Sequence, residues 1–260
     1  MRYLVLCLSC LLGFSSAVVA QSLTILTEDD PPAQYLDANG ELAGFTVELV
    51  REIQKRVGNN DKIQVVPWAR AYRMIETEPN VVVFLMSRTA ERNELFNWVG
   101  PVMETEFGLY AQAKSTLRLA SLEEAKAVKR IGVYRGDVRD QILSNAGFTN
   151  LERTYTIVQN VKMLMAGRID LYAGSSSGYG LDAERAGYKA SDLKLVLPFH
   201  KSQLYIAMSR QMPMAIVDKW NAAVGAIRGE GLLESLLRKH WPHAKLLPGQ
   251  PITKFPAGSP

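Results

Sequence analysis

The chain has 260 residues, 30 Lys+Arg against 26 Asp+Glu, a net charge of +4, 47% hydrophobic residues and two cysteines. That length can bury a substantial core in one or two domains, and the apolar fraction excludes a disordered or fibrous polymer. Acidic and basic residues interleave throughout, with no basic block of the kind that tracks a nucleic acid, so no nucleic-acid partner is implied.

Residues 1–20 carry one positive charge, Arg2, then an apolar run from Tyr3 to Phe14, then small residues with Val18 and Ala20 where a signal peptidase inspects the chain. This is an export signal cleaved after Ala20, and its apolar run is too short to cross a bilayer core of ~30 Å. Both cysteines, Cys7 and Cys10, fall inside it. The exported chain therefore has no disulfide and no thiol chemistry. A lipoprotein would need Cys10 as its anchor, but too little apolar sequence precedes that residue.

Residues 23–27 (LTILT) predict a strand, followed by a polar, proline-containing loop. Val47, Val50, Ile53 and Val57 recur at helical spacing, with Thr46 as a start and Gly58 as a stop. A strand over 63–66 leads to a helix over 68–75, and the continuous apolar run 81–86 (VVVFLM) predicts a parallel strand buried on both faces. A second unit follows residues 107–113. Ser121 and Glu124 form a capping box, 130–134 a strand, Gly136-Asp137 a turn, and Val138–Leu143 the start of a helix. Strands over 154–158, 169–173, 195–199 and 204–208 alternate with a helix over 160–166, and two helices occupy 213–228 and 231–240. The alternation is that of an α/β protein. The tail from Ala244 holds four prolines in its last thirteen residues and predicts no packed structure.

Several motifs invite a function and fail on context. Gly174-Ser-Ser-Ser-Gly178 matches a nucleophile elbow around Ser176, yet its acid and base candidates, Asp192 and His200, are crowded into a short stretch. Gly178-Tyr-Gly-Leu-Asp-Ala183 resembles a dinucleotide fingerprint but does not directly follow a strand, so no cofactor is implied. His240 and His243 lack a third ligand nearby, so no metal is implied.

The informative set is Pro67-Trp-Ala-Arg70 with Ser87-Arg-Thr-Ala-Glu-Arg92. Ser87 and Arg92 lie just past the end of a buried strand, where α/β proteins bind ligands. A hydroxyl and a guanidinium fork suit a carboxylate, Arg70 adds charge, and Trp68 can supply an apolar or cation–π wall. The alternative is that Arg88 and Arg92 pair with Glu91 and Glu94 on the surface.

With Gly44-Phe-Thr-Val-Glu-Leu49, Pro67-Trp-Ala-Arg70, Arg88-Thr-Ala-Glu-Arg92, Phe96, Pro101 and Leu164-Met-Ala-Gly-Arg-Ile-Asp170 in this order, the chain resembles the family 3 bacterial extracellular solute-binding proteins, the periplasmic amino-acid-binding class. The resemblance implies a two-lobed periplasmic-binding-protein fold of type II, with two hinge crossovers and a ligand cleft between the lobes. Lobe 1 would comprise 22–108 and 207–243, lobe 2 would be 112–201, and the crossovers would fall near 109–111 and 202–206. It further implies that Arg92 and Ser87 bind a ligand carboxylate and that Trp68 stacks on the ligand. At the position where the class carries the Asp that holds an α-ammonium, this chain has Ser175. Asp137, Glu28, Asp29 or Asp30 could substitute for it, or the ligand need not be an α-amino acid.

The resemblance implies capture of a small polar, carboxylate-bearing solute, an inner-membrane ABC permease as partner, a monomer and no catalysis. Two alternatives share the fold: a cyclohexadienyl dehydratase-like enzyme using Asp137 or Glu28 as acid or base, and a soluble sensor for a membrane receptor.

Overall fold

The computed structural model describes residues 22–37 and 39–240. The expected export signal at residues 1–20 with both cysteines, His243 and the 244–260 tail lie outside the described residues. Among the described residues no helix is long and apolar enough to cross a membrane.

The chain opens with β1 (Thr24–Thr27) and a small hairpin of β2 (Tyr35–Leu36) and β3 (Leu42–Ala43). Helix α1 (Phe45–Val57) follows, buried along Phe45, Val47, Leu49, Val50 and Ile53. Its cap is Gly44 rather than Thr46, whose hydroxyl instead donates back to the Ala33 carbonyl at 2.7 Å. Then come β4 (Ile63–Val65), α2 (Trp68–Thr77), β5 (Val81–Ser87) and the single turn α3 (Ala90–Asn93). Next are β6 (Phe96–Gln112), α4 (Leu122–Ala125), β7 (Ile131–Tyr134), α5 (Val138–Asn145) and β8 (Leu151–Thr154). The chain finishes with α6 (Ile157–Met165), β9 (Leu171–Ser175), α7 (Tyr179–Arg185), β10 (Leu193–Ser209), α8 (Met214–Gly229) and α9 (Leu232–His240).

Two elements differ from the sequence expectation for local reasons. Thr156 caps α6 by accepting the Gln159 N–H at 3.1 Å, so Ile157 and Val158 start a helix instead of ending a strand. The two strands expected at 195–199 and 204–208 are one 17-residue strand, β10, and β6 is equally long.

Those two long strands organise the molecule. The sheet order is β4-β1-β5-β10-β6-β9-β7-β8. β1 runs parallel to β4 and β5, β7 runs parallel to β8 and β9, and β6 and β10 lie antiparallel between the two sets. β5 is therefore flanked by a parallel strand on one side and the antiparallel β10 on the other. The C-terminal half of β10 pairs with β5 from Leu204 onward, whereas β6 pairs with β9 from Phe107 onward. Between these levels Thr105 faces Ser202 in a ribbon of β6 and β10. This lies a few residues before the 109–111 stretch expected to cross over, because Phe107–Tyr110 are already hydrogen-bonded into the second set of strands.

Each lobe buries both faces of its sheet. Helices α1, α8 and α9 cover one face of the first with Phe45, Ile53, Trp220 and Ile227, while α2 covers the other with Trp68 and Ile75. In the second lobe Ile131, Val133, Leu143 and Leu171 form one layer and Tyr110, Val161, Leu164 and Tyr172 another. The strand ends of the two lobes face one another, which sets the loops after β1, β5, β7 and β9 around a common space.

Candidate functional site

A cavity of about 70 Å³ lies between the lobes, and its lining includes Glu28, Asp30, Trp68, Ser87, Arg92, Asp137 and Ser175. These residues stand at or shortly after the ends of the strands β1, β4, β5, β7 and β9. Arg70, by contrast, is exposed on α2 and does not line the cavity. One helical residue is about 100° of rotation, so two residues past Trp68 the side chain leaves the buried face.

Arg92 is 1% exposed. Thr89 caps α3 by accepting the Arg92 N–H at 3.4 Å, which fixes the turn that carries this guanidinium inward. The guanidinium lies 5.6 Å from the Trp68 ring centre and 5.0 Å from that of Tyr72. It donates from Nε and Nη2 to Gln141 Oε1 at 3.2 and 3.0 Å, and from Nη1 to the Ser87 carbonyl at 3.4 Å. Among the described residues its hydrogen-bond partners, including the Tyr72 hydroxyl, are all neutral. Burial lowers its pKa from the ordinary arginine value. The surface pairing with Glu91 or Glu94 is thus not what this residue does. Arg88 instead packs over Trp98 and Tyr205 and donates to Asn93 Oδ1 at 2.8 Å.

The second lobe supplies the opposite wall. Gly136, with φ of 72°, turns the chain so that Asp137 caps α5 by accepting the Asp140 N–H at 2.9 Å. The same Asp137 carboxylate pairs with Arg139, which stands 5.5 Å from the Phe107 ring centre. Ser175 uses its hydroxyl to accept the Gly178 N–H at 3.0 Å, closing the turn after β9, and Ser177 shares a 2.8 Å hydrogen bond with Thr105 on the ribbon.

Glu28 and Asp30, on the loop after β1, complete the floor. Burial, and then the nearby Asp30, push Glu28 up to about 8, although the Tyr134 hydroxyl hydrogen-bonds it. Asp30 is also raised by burial, against the pull of Arg139. Asp29 points elsewhere and pairs with Arg185 at 2.6 Å. The cavity therefore has a guanidinium with neutral partners at one end and a set of carboxyl groups at the other.

Polar contacts that bridge the lobes include Trp68 Nε1–H to the Gly136 carbonyl at 3.0 Å, Arg92 to Gln141, Arg185 to Asp29, and Tyr134 to Glu28. Sequence reasoning did not reach Gln141, Arg139, Phe107, Thr105 or Tyr134. Gln141 sits one turn after the Asp137 cap, and that spacing is the signal that was available. Thr105 and Phe107 lie inside the long strand β6, where periodicity reports burial and not chemistry, while Tyr134 ends β7 and Arg139 stands in the first turn of α5.

The residues of the dismissed motifs are engaged with other partners. Ser176 Oγ accepts the Glu106 N–H at 3.1 Å, Asp192 accepts the Lys189 N–H at 2.9 Å, and His200 stacks on Phe107 with its pKa lowered by burial. Among the described residues no group of three or more His, Cys, Asp and Glu is placed to hold a metal ion, and His240 is paired with Glu48 at 2.9 Å.

The sequence matches the model of the bacterial extracellular solute-binding proteins, family 3, over residues 23–243. It is 24% identical to the histidine-binding periplasmic protein of Escherichia coli strain K12, covering 93% of this chain and 97% of that one. It is 22% identical to the amino-acid-binding protein AabA of Dichelobacter nodosus, over 82% of this chain and 84% of the relative. Among solved structures, a histidine kinase sensor domain with similarity to periplasmic binding proteins superposes with a TM-score of 0.77 at 19% identity, covering 87% of this chain and 99% of that one. An ancestral amino-acid-binding protein, described as a precursor of cyclohexadienyl dehydratase, superposes at 0.71 and 18% identity, covering 85% and 95%. At these identities the superpositions establish the two-lobed fold, and the family match places the chain. It belongs to the bacterial extracellular solute-binding proteins, family 3.

Proposed function

We propose that this chain is an exported, periplasmic, monomeric binding protein that closes its lobes on a small carboxylate-bearing solute, of the amino-acid kind, for delivery to an ABC-type importer. The observation that carries the reading is Arg92: a guanidinium 1% exposed, lining the inter-lobe cavity, whose hydrogen-bond partners among the described residues are all neutral. A buried cation so placed gains most from an anion that can take its fork, and a carboxylate matches that geometry bidentately. Ser87, Trp68 and Tyr72 shape the carboxylate end, and the relatives named for histidine and for amino acids support an amino-acid-like ligand.

The test is native mass spectrometry of protein purified from the exporting compartment without denaturation. A bound small molecule with the mass of an amino acid or organic acid, lost in Arg92→Met, is the expected result. An empty protein whose melting temperature also ignores amino acids and small organic acids would overturn the reading.

A second reading rests on Glu28, whose carboxyl is held up to about 8 in the same cavity as Arg92. A protonated acid beside a carboxylate anchor suits an elimination such as the dehydratase reaction. Asp137 is the weaker candidate of the two, since its oxygens serve the α5 cap and Arg139. Incubation with prephenate or arogenate, followed by ultraviolet absorbance of an aromatic product, decides it.

A further inference from the structure

A second cleft of about 580 Å³ opens between the lobes on the far side of Glu28 and Asp30, which line both spaces. Its walls include Tyr134, Tyr155 and Asp182. Asp182 stands on the first turn of α7, 3% exposed. Among the described residues its carboxylate takes no hydrogen bond and no ion pair. The two arginines that feel its charge pair with other carboxylates, Arg139 with Asp137 and Arg185, itself on the cleft wall, with Asp29. A carboxylate this buried, lining a cleft and lacking a partner, is a costly arrangement for the protein alone. Its cost is offset when a cation enters the cleft and donates to it.

We propose that this cleft is a cation subsite, in which Asp182, seconded by Asp30, receives a primary ammonium or guanidinium group borne by the same ligand whose carboxylate Arg92 holds. The Tyr134 ring suits the alkyl or planar part of such a group, while Tyr155 already carries the Arg135 guanidinium 5.1 Å from its ring centre. The inference deepens the binding-protein reading and rests on it for the carboxylate end. The cation end stands on Asp182 independently. Ligand length follows from the layout: the molecule must pass Glu28 and Asp30, so its charged ends are separated by a chain and not carried on one carbon.

The experiment titrates the full exported chain by calorimetry with three probes of one skeleton. L-arginine carries both groups, L-citrulline lacks the cation, and agmatine lacks the carboxylate. Wild type is expected to bind arginine at least about tenfold more tightly than citrulline, as a charge-assisted pair to a buried carboxylate should allow. Asp182→Asn should reduce that preference to about threefold or less. Arginine binding at pH 8, measured in two buffers of different ionisation enthalpy, should release protons in wild type and fewer in Asp182→Asn. Equal binding of citrulline and arginine by wild type overturns the subsite without any variant, as does an Asp182→Asn protein with unchanged preference. If that variant does not fold, Asp182→Glu and Asp30→Asn carry the same comparison. Should agmatine bind in an Asp182-dependent way while arginine and citrulline do not, the carboxylate reading fails and the subsite survives. Should none of the three bind, the subsite is overturned.

Discussion

Trp68 of the first lobe donates its indole N–H to the carbonyl of Gly136 in the second, at 3.0 Å, and Gln141 donates to the same oxygen from 3.2 Å. Gln141 also presents its own oxygen to Arg92. One carbonyl and one amide thus tie the aromatic wall, the buried guanidinium and the α5 turn into a single closed arrangement. Ligand that favours this arrangement shifts the lobes toward it.

Trp68→Phe keeps the ring and removes the N–H. A neutral hydrogen bond of this kind is worth about 0.5–1.5 kcal/mol, so the closed form loses about that much and apparent affinity falls by about two- to tenfold. Calorimetry with L-arginine or the co-purified ligand, alongside small-angle scattering of the bound protein, reads both quantities.

Arg92→Met should separate binding from stability. Binding of any carboxylate ligand falls by at least about ten- to a hundredfold, the loss of a charged, bidentate contact. The melting temperature of the unliganded protein stays level or rises, because an apolar side chain of similar length removes the desolvation cost of a buried charge. A large fall in melting temperature would show that Arg92 is chiefly structural.

Arg185→Gln, which breaks the pair with Asp29, should do little. Both side chains are well exposed, at 39% and 40%, and such a pair contributes about 0–1 kcal/mol and weakens with salt. Affinity measured at low and at high salt should converge between this variant and wild type.

Glu28 and Asp182 are both raised to about 8, from ordinary carboxyl values of 4.5 and 3.8, with burial as the leading cause. Between those values the folded protein holds protons that the unfolded chain has released. Stability therefore falls as pH rises from about 4 to about 8, the sign opposite to that of a salt-bridged carboxylate. Thermal melts across that window should show the decline, and the double variant Glu28→Gln, Asp182→Asn should flatten it.

Gly44→Ala tests how the carboxyl-bearing loop is held. Gly44 has φ of 117°, and a Cβ there would run into the Ala33 carbonyl oxygen, a backbone atom that cannot step aside. We expect a loss of about 1–3 kcal/mol, visible as a lower melting temperature, together with weaker binding because Asp30 rides on the same loop.

Much of this site was legible before the fold. The run 81–86 announced a buried strand, and the cavity-lining Ser87 and Arg92 followed from where that strand must end. Gly136-Asp137 announced a turn, and the capping role of Asp137 explains why its carboxylate is fixed there. Local signals could not reach the contacts between lobes. Gln141 to Arg92 and Trp68 to Gly136 join residues far apart in sequence, and neither residue's own neighbourhood encodes its partner. Asp182 was invisible for another reason: its turn read as a weak glycine motif, and only burial without a partner distinguishes it from any acid on a helix. Arg70 read as a site residue by proximity to Trp68, and helical rotation carries it to solvent.

The pairing of β10 with both β5 and β6 also dictates an order of assembly. Val82 waits for Met208 before its strand is enclosed, and Trp220 and Ile227 arrive later still to seal the core around Phe45. By contrast, β7, β8 and β9 and their helices come from one continuous stretch. The half of the molecule that emerges first is therefore the half that finishes last. A nascent chain keeps its N-terminal strands open until nearly all of it has emerged.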